Sequence, residues 1–136
     1  MPVLVDTGIV YAFYDRDDDW HKPARKLFER EKGALIIPAP VIPEADHLIG
    51  VRLGVAAQLM FYEGLAGGSY LVADLPKEKY DRVLAINRQF AALSLGFVDA
   101  AIVAISEVLD LKRIATTDRR DFTPLAAAFK LELLPN

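Results

Sequence analysis

The chain has 136 residues, 53% of them hydrophobic and 26% charged, with a formal net charge of -3 and no cysteine. That length supplies one core and falls short of two ordinary domains, and without cysteine there are no disulfides, thiolate zinc sites or thiol nucleophiles. The opening MPVLVDTG lacks the basic-then-apolar order of a signal peptide, and no apolar run nears the roughly 20 residues of a membrane span, so a soluble cytoplasmic protein is expected.

Pro2 to Val5 is an apolar run that stops at Asp6-Thr7-Gly8, as a strand ending on a carboxylate would. Ile9, Val10, Ala12 and Phe13 suggest a first helical segment. An acidic turn, Asp15 to Asp19, follows, with Asp19 suited to cap a helix over about Trp20 to Glu31. Lys32-Gly33 stops that helix, and Ala34 to Ile37 reads as a second strand closed by Pro38. Val41, Ala45, Leu48, Ile49 and Arg52 fall at helical spacing, with Gly54 as the stop. A further helix over Val55 to Leu65 reads as an ordinary core helix, although VAAQLMFYEGL is apolar enough for a partner contact.

Gly67-Gly68 is a turn, Tyr70 to Ala73 a third strand, and Pro76 can open a helix running to about Leu93. Val98, Ala101, Ile102, Ile105, Val108 and Leu109 mark a strongly apolar helix. Arg113 to Thr116 makes a fourth strand, Phe122 to Phe129 a helix, and Leu131 to Leu134 a fifth strand. Strands alternating with helices imply parallel pairing through right-handed crossovers. The expected fold is a single α/β domain over residues 1–136, a three-layer α/β/α sandwich around a mostly parallel sheet of about five strands. Ligands in such sheets bind beyond the carboxyl ends of the strands.

Four carboxylates fall at strand carboxyl ends or helix amino ends: Asp6, Glu44, Asp99 and Asp118. Each has an ordinary reading. Asp6 can cap a helix, Glu44 suits a helix's first turn, and Asp118 suits a turn. Asp99 is harder to dismiss, because Val98, Ala100, Ala101 and Ile102 surround it with apolar groups and no Lys or Arg is near in sequence. On one sheet edge, four such charges repel by several kcal/mol at an effective dielectric of about 20 unless a cation holds them. Oxygen ligands without Cys or a His pair select a hard ion, Mg²⁺ or Mn²⁺. Cancelling the four acids takes the formal charge from -3 to +1, so the acidic balance does not exclude a nucleic-acid partner.

With VLVDTG, VIPEADHLIGVRLG, GFVDAAIVAIS and IATTDRRDF in hand, the chain resembles the PIN-domain ribonucleases, and in size their VapC-type toxin branch. The family's acidic quartet maps onto Asp6, Glu44, Asp99 and Asp118, separated by 38, 55 and 19 residues. The resemblance implies metal-dependent cleavage of RNA with Mg²⁺ or Mn²⁺, a homodimer and a small antitoxin. It also implies small polar residues near the metal, here Thr7 and Thr116 or Thr117. Two features depart from the family pattern. Gly8 stands where members commonly carry Ser or Asn, and Asp121 lies three residues after Asp118 rather than two. Asp121 is therefore open to two readings, a partner to the ion's water or the cap of the next helix. Arg119 and Arg120 either bind RNA phosphates or complete a solvated turn.

Other chemical-looking stretches fail on detail. Asp15, Asp17 and Asp19 have calcium-loop spacing, but Trp20 and Lys26 occupy the positions that need Gly and Glu. Glu44 and His47 lack the second Glu-x-x-His pair of a di-iron bundle. No phosphate-loop motif is present. Two rivals remain: a phosphoaspartyl phosphatase or receiver-type protein, for which Gly8 replaces the phosphatase's second Asp and no Lys follows Leu134, and a non-catalytic PIN-like binding module.

Overall fold

The computed structural model describes all 136 residues. Five short strands form one parallel sheet: β1 (Val3–Val5), β2 (Leu35–Pro38), β3 (Leu71–Ala73), β4 (Arg113–Ala115) and β5 (Glu132–Leu134), ordered β3-β2-β1-β4-β5. Leu4 sits opposite both Ile36 and Ile114. The central strand β1 is covered on all sides and is apolar at every position, as a strand buried on both faces must be.

Seven helices connect the strands: α1 (Thr7–Tyr14), α2 (His21–Arg30), α3 (Val41–Leu53), α4 (Val55–Ala66), α5 (Tyr80–Gln89), α6 (Phe97–Val108) and α7 (Arg119–Phe129). The chain winds outward from β1 to β3, then crosses back over the sheet to β4 and on to β5. Right-handed connections therefore put α1 to α4 on one face and α5 to α7 on the other. The reversal leaves a crevice between the carboxyl ends of β1 and β4, where Asp6 and Asp118 emerge. A single cluster of 32 buried apolar residues holds both helical layers to the sheet. Within it, α6 buries every residue from Ala100 to Ser106, and its alanines let the helix approach closely.

The sequence expectations hold for every strand and for the order of elements, and four details differ. Asp19 does not cap α2: Asp18 Oδ1 accepts a hydrogen bond from the Trp20 amide at 2.8 Å, one residue earlier. The segment from Pro76 to Leu93 is not one helix but α5 flanked by two 3-10 turns. Asn87 is the cause at its far end. Its side chain donates to the carbonyls of Val83 and Gly96 and accepts from the Gly96 amide at 3.0 Å, drawing the chain back after α5. Helix α7 starts at Arg119 rather than Phe122, because Asp118 caps it. Finally, α4 is not a core helix. Only Phe61 is buried there, while Val55, Leu59 and Met60 are each more than half exposed.

No helix is long and apolar enough to cross a membrane.

Candidate active site

The two ends of the sheet differ in charge pairing. At the amino end, Arg113 reaches Glu31 at 2.5 Å, an acid matched by a base. At the carboxyl end, acids gather and no Lys or Arg makes an ion pair with any of them.

Asp6 leaves β1 only 5% exposed. Both carboxylate oxygens are occupied: Oδ1 accepts from the Thr7 amide at 2.7 Å, capping α1, and Oδ2 accepts from the Thr116 hydroxyl at 2.8 Å. The cap reading and the site reading of Asp6 are thus one geometry. Burial raises its pKa to about 6, against the opposing pull of those hydrogen bonds and with added repulsion from Glu44 and Asp118.

Thr116 ties two acids together. While its hydroxyl donates to Asp6, its oxygen accepts from the Asp118 amide at 3.0 Å, so the turn after β4 is fixed to the end of β1. Thr7 does the same on the other side, donating to Glu44 Oε1 at 2.5 Å and joining α1 to the first turn of α3. Glu44 itself is exposed.

Asp99, in the first turn of α6, is half-buried. The cation that its apolar sequence surroundings seemed to demand is not supplied by the chain. Its pKa rises to about 8, first through burial and then through the charges of Asp6, Asp118, Asp121 and Glu44. Asp99, Asp118 and Asp121 each bring a carboxylate oxygen to within 4.8 Å of the others. Asp121 does not cap α7. Asp118 is the cap, its Oδ1 accepting from the Asp121 amide at 3.0 Å, and the Asp121 side chain joins the acid cluster. Burial and the neighbouring Asp118 raise the Asp121 pKa as well. Glu44 and Asp6 flank this trio rather than joining it at ligand distance.

Uncompensated carboxylates at this spacing, with the pKa values of Asp99 and Asp121 raised by burial and by the charges beside them, are what a hard divalent cation relieves. The donor set fits such an ion: all oxygen, charge-rich and open on one side to solvent.

The two arginines after Asp118 part company. Arg119 turns away from the acids, donating to the Pro135 carbonyl and lying over the Trp20 ring at 5.3 Å. Its guanidinium is therefore committed to the protein, which argues against the expected phosphate contact. Arg120 is exposed beside the cluster. Gly8, the departure from the family pattern, has a physical cause that sequence did not reveal: a Cβ there would stand 2.1 Å from Thr117 Oγ1. Asn87 was also missed, and no local pattern signals that its partner is Gly96.

Away from this edge, α1, α2 and α4 enclose a groove of about 500 Å³ lined by Phe13, Tyr14, Phe28, Met60 and Tyr70. It contains none of the acids of the sheet edge.

Known proteins resemble the chain along most of its length. It is 28% identical over 123 residues to Ribonuclease VapC26 of Mycobacterium tuberculosis, covering 90% of this chain and 91% of that one. Among solved structures, the sarcin-ricin-loop-cleaving toxin VapC20 of the same organism superposes with a TM-score of 0.81 at 16% identity, covering 90% of this chain and 94% of that one. A toxin–antitoxin complex from Klebsiella pneumoniae gives a TM-score of 0.71 at 16% identity, covering 98% and 96%. At such identities the structures establish a shared fold. The PIN domain family pattern itself matches residues 3–127, which takes in all five acids at the sheet edge. The chain belongs to the PIN-domain family.

Proposed function

We propose that this protein is a divalent-metal-dependent endoribonuclease, the toxin of a toxin–antitoxin pair. The observation that carries the reading is the group of three carboxylates, Asp99, Asp118 and Asp121, within 4.8 Å of one another and without a basic partner, in a PIN-family chain. The ribonuclease name of VapC26 and the toxin–antitoxin title of the Klebsiella structure support the substrate class and the partner.

Asp99, Asp118 and Asp121, the three at ligand distance of one another, would hold Mg²⁺ or Mn²⁺, with Asp6 adding its charge beside them or reaching the ion through water. When bound, such an ion would lower the pKa of its water, so that the water gives up a proton as it attacks phosphorus, and would offset the charge of the leaving oxygen. The chain's own residues do the rest. Thr116 fixes the rotamer of Asp6 and the position of Asp118 with one hydroxyl. Thr7 orients Glu44, which stands outside the trio and is suited to accept the proton of the attacking water. Arg120, the exposed arginine of the pair, is suited to a phosphate of the RNA backbone.

The groove between α1, α2 and α4 is suited to an apolar antitoxin segment, with Met60 on its rim and Phe13 and Phe28 stacked 4.7 Å apart inside. Tyr80, Leu84 and Phe97 are each about half exposed on α5 and α6 and offer a face for the homodimer.

The reading is tested by incubating the protein with a panel of fluorescent RNAs in Mn²⁺, Mg²⁺ and EDTA. Cleavage that requires the ion is expected. Metal binding without cleavage of any RNA in the panel would favour the non-catalytic binding module instead.

A further inference from the structure

Gly8 sits inside α1, in its first turn, and adopts no backbone conformation that requires glycine. In such a position glycine is a poor choice, since it gives up more chain entropy than alanine. What it provides is room. The side chain of Thr117, arriving from the turn after β4, places its hydroxyl where a Cβ on residue 8 would be, 2.1 Å from that point. An alanine there would force the hydroxyl out.

The hydroxyl kept in this space does not serve the fold. Its neighbour Thr116 spends its own hydroxyl completely, on Asp6 and on the Asp118 amide. Thr117 makes no side-chain hydrogen bond within the protein and is only half-buried, between two acid-bearing segments. It is a neutral donor placed next to Asp118 in the chain and against the first turn of α1, which Asp6 caps. Unlike Lys or Arg, it does not neutralise these acids, so it leaves them free for a cation while still able to donate to an anionic oxygen.

We propose that Gly8 and Thr117 form a substrate-positioning pair: Gly8 leaves the space, and the Thr117 hydroxyl held there donates to a non-bridging oxygen of the phosphodiester at the cleavage site. This rests on the ribonuclease reading above.

The test combines steady-state cleavage of the RNA cut best by the wild type, Mn²⁺ titration and thermal unfolding for five variants. Thr117→Val keeps the shape and removes the donor. It should raise KM on the order of tenfold, the worth of a hydrogen bond to a charged group, with Mn²⁺ affinity and unfolding midpoint unchanged. Thr117→Ser should retain wild-type KM. Gly8→Ala should match Thr117→Val, yet the double variant Gly8→Ala/Thr117→Ala should be no worse than Thr117→Ala alone, because the added methyl then has nothing to displace. Wild-type KM in Thr117→Val overturns the proposal. So does a fall in activity shared by Val and Ser and matched by a lower unfolding midpoint, which would make the role structural. A wild type that binds Mn²⁺ and cleaves no RNA overturns the ribonuclease reading, and this inference with it.

Discussion

Replacing Asp99 by Asn should stabilise the metal-free protein at neutral pH, although it removes a candidate ligand. The Asp99 carboxyl has its pKa raised from 3.8 to about 8 in the folded chain. A group that binds its proton more tightly when folded contributes most below its unfolded value. Stability therefore falls as pH rises from about 4 towards 8. At pH 7 the full span above 3.8 corresponds to about 4 kcal/mol at 1.4 kcal/mol per unit. Asp99 keeps some contact with water, and screening by solvent lowers this to about 2 kcal/mol. Asn fits the same space without a charge, so the metal-free variant should gain that amount, on the order of 7 °C in unfolding midpoint for a chain of this size. At pH 4 the difference should vanish. With excess Mn²⁺ at pH 7 the order should reverse, because the wild type gains binding energy that the variant lacks. Thermal unfolding of both proteins at pH 4 and 7, in EDTA and in Mn²⁺, reads all four conditions. A variant less stable than wild type in EDTA at pH 7 would refute the reasoning, since it would mean that Asp99 is already compensated by a partner within the fold.

Thr116→Val deletes the hydrogen bond that lowers the Asp6 pKa, so Mn²⁺ binding, followed by titration, should weaken more at pH 6 than at pH 8. The same substitution leaves a buried carboxylate oxygen unpaired and should cost about 1–3 kcal/mol in denaturant unfolding. Asn87→Ala releases both backbone groups of Gly96, the residue that opens α6, and should lower stability by about 1–2 kcal/mol. Because Asp99 lies three residues further on, Mn²⁺ affinity should fall as well; unchanged affinity would show that α6 is positioned by its buried face alone. Met60→Glu places a charge on the rim of the α1–α2–α4 groove and should weaken binding of a cognate antitoxin at least about tenfold while leaving RNA cleavage as it was, measured by pull-down and cleavage side by side.

Much of this was legible in the sequence because the informative features are local. A parallel strand buried on both faces must be apolar, and VLV announces itself as such, as does the IA that follows Arg113. The acids that end those strands are visible at the same glance. Asp99 stood out for a physical reason, a carboxylate among apolar neighbours, and that reason persists in the structure as a raised pKa with no cation nearby. The misreadings came from tertiary effects. Composition made α4 a core helix, but a helix apolar all round can equally cover a groove and face outwards, and periodicity cannot separate the two when both faces are apolar. Asp121 was weighed as a cap because Asp favours helix starts, yet Asp118 holds that place, three residues earlier. Arg119 was open to a phosphate contact or a solvated turn, and neither reading could foresee the Pro135 carbonyl as its acceptor. The space over Gly8 depends on a side chain 109 positions away, and no window of sequence contains both.

The central claim is that the acidic edge is a metal-dependent ribonuclease site. It is tested most directly by RNA cleavage in Mn²⁺ with wild type and Asp99→Asn purified in parallel, the variant serving as the control for contaminating nuclease. Cleavage by the wild type that is abolished both by EDTA and by Asp99→Asn is the predicted result. Equal cleavage by the two proteins would contradict it, because a site built on Asp99 cannot work at the wild-type rate without its carboxylate.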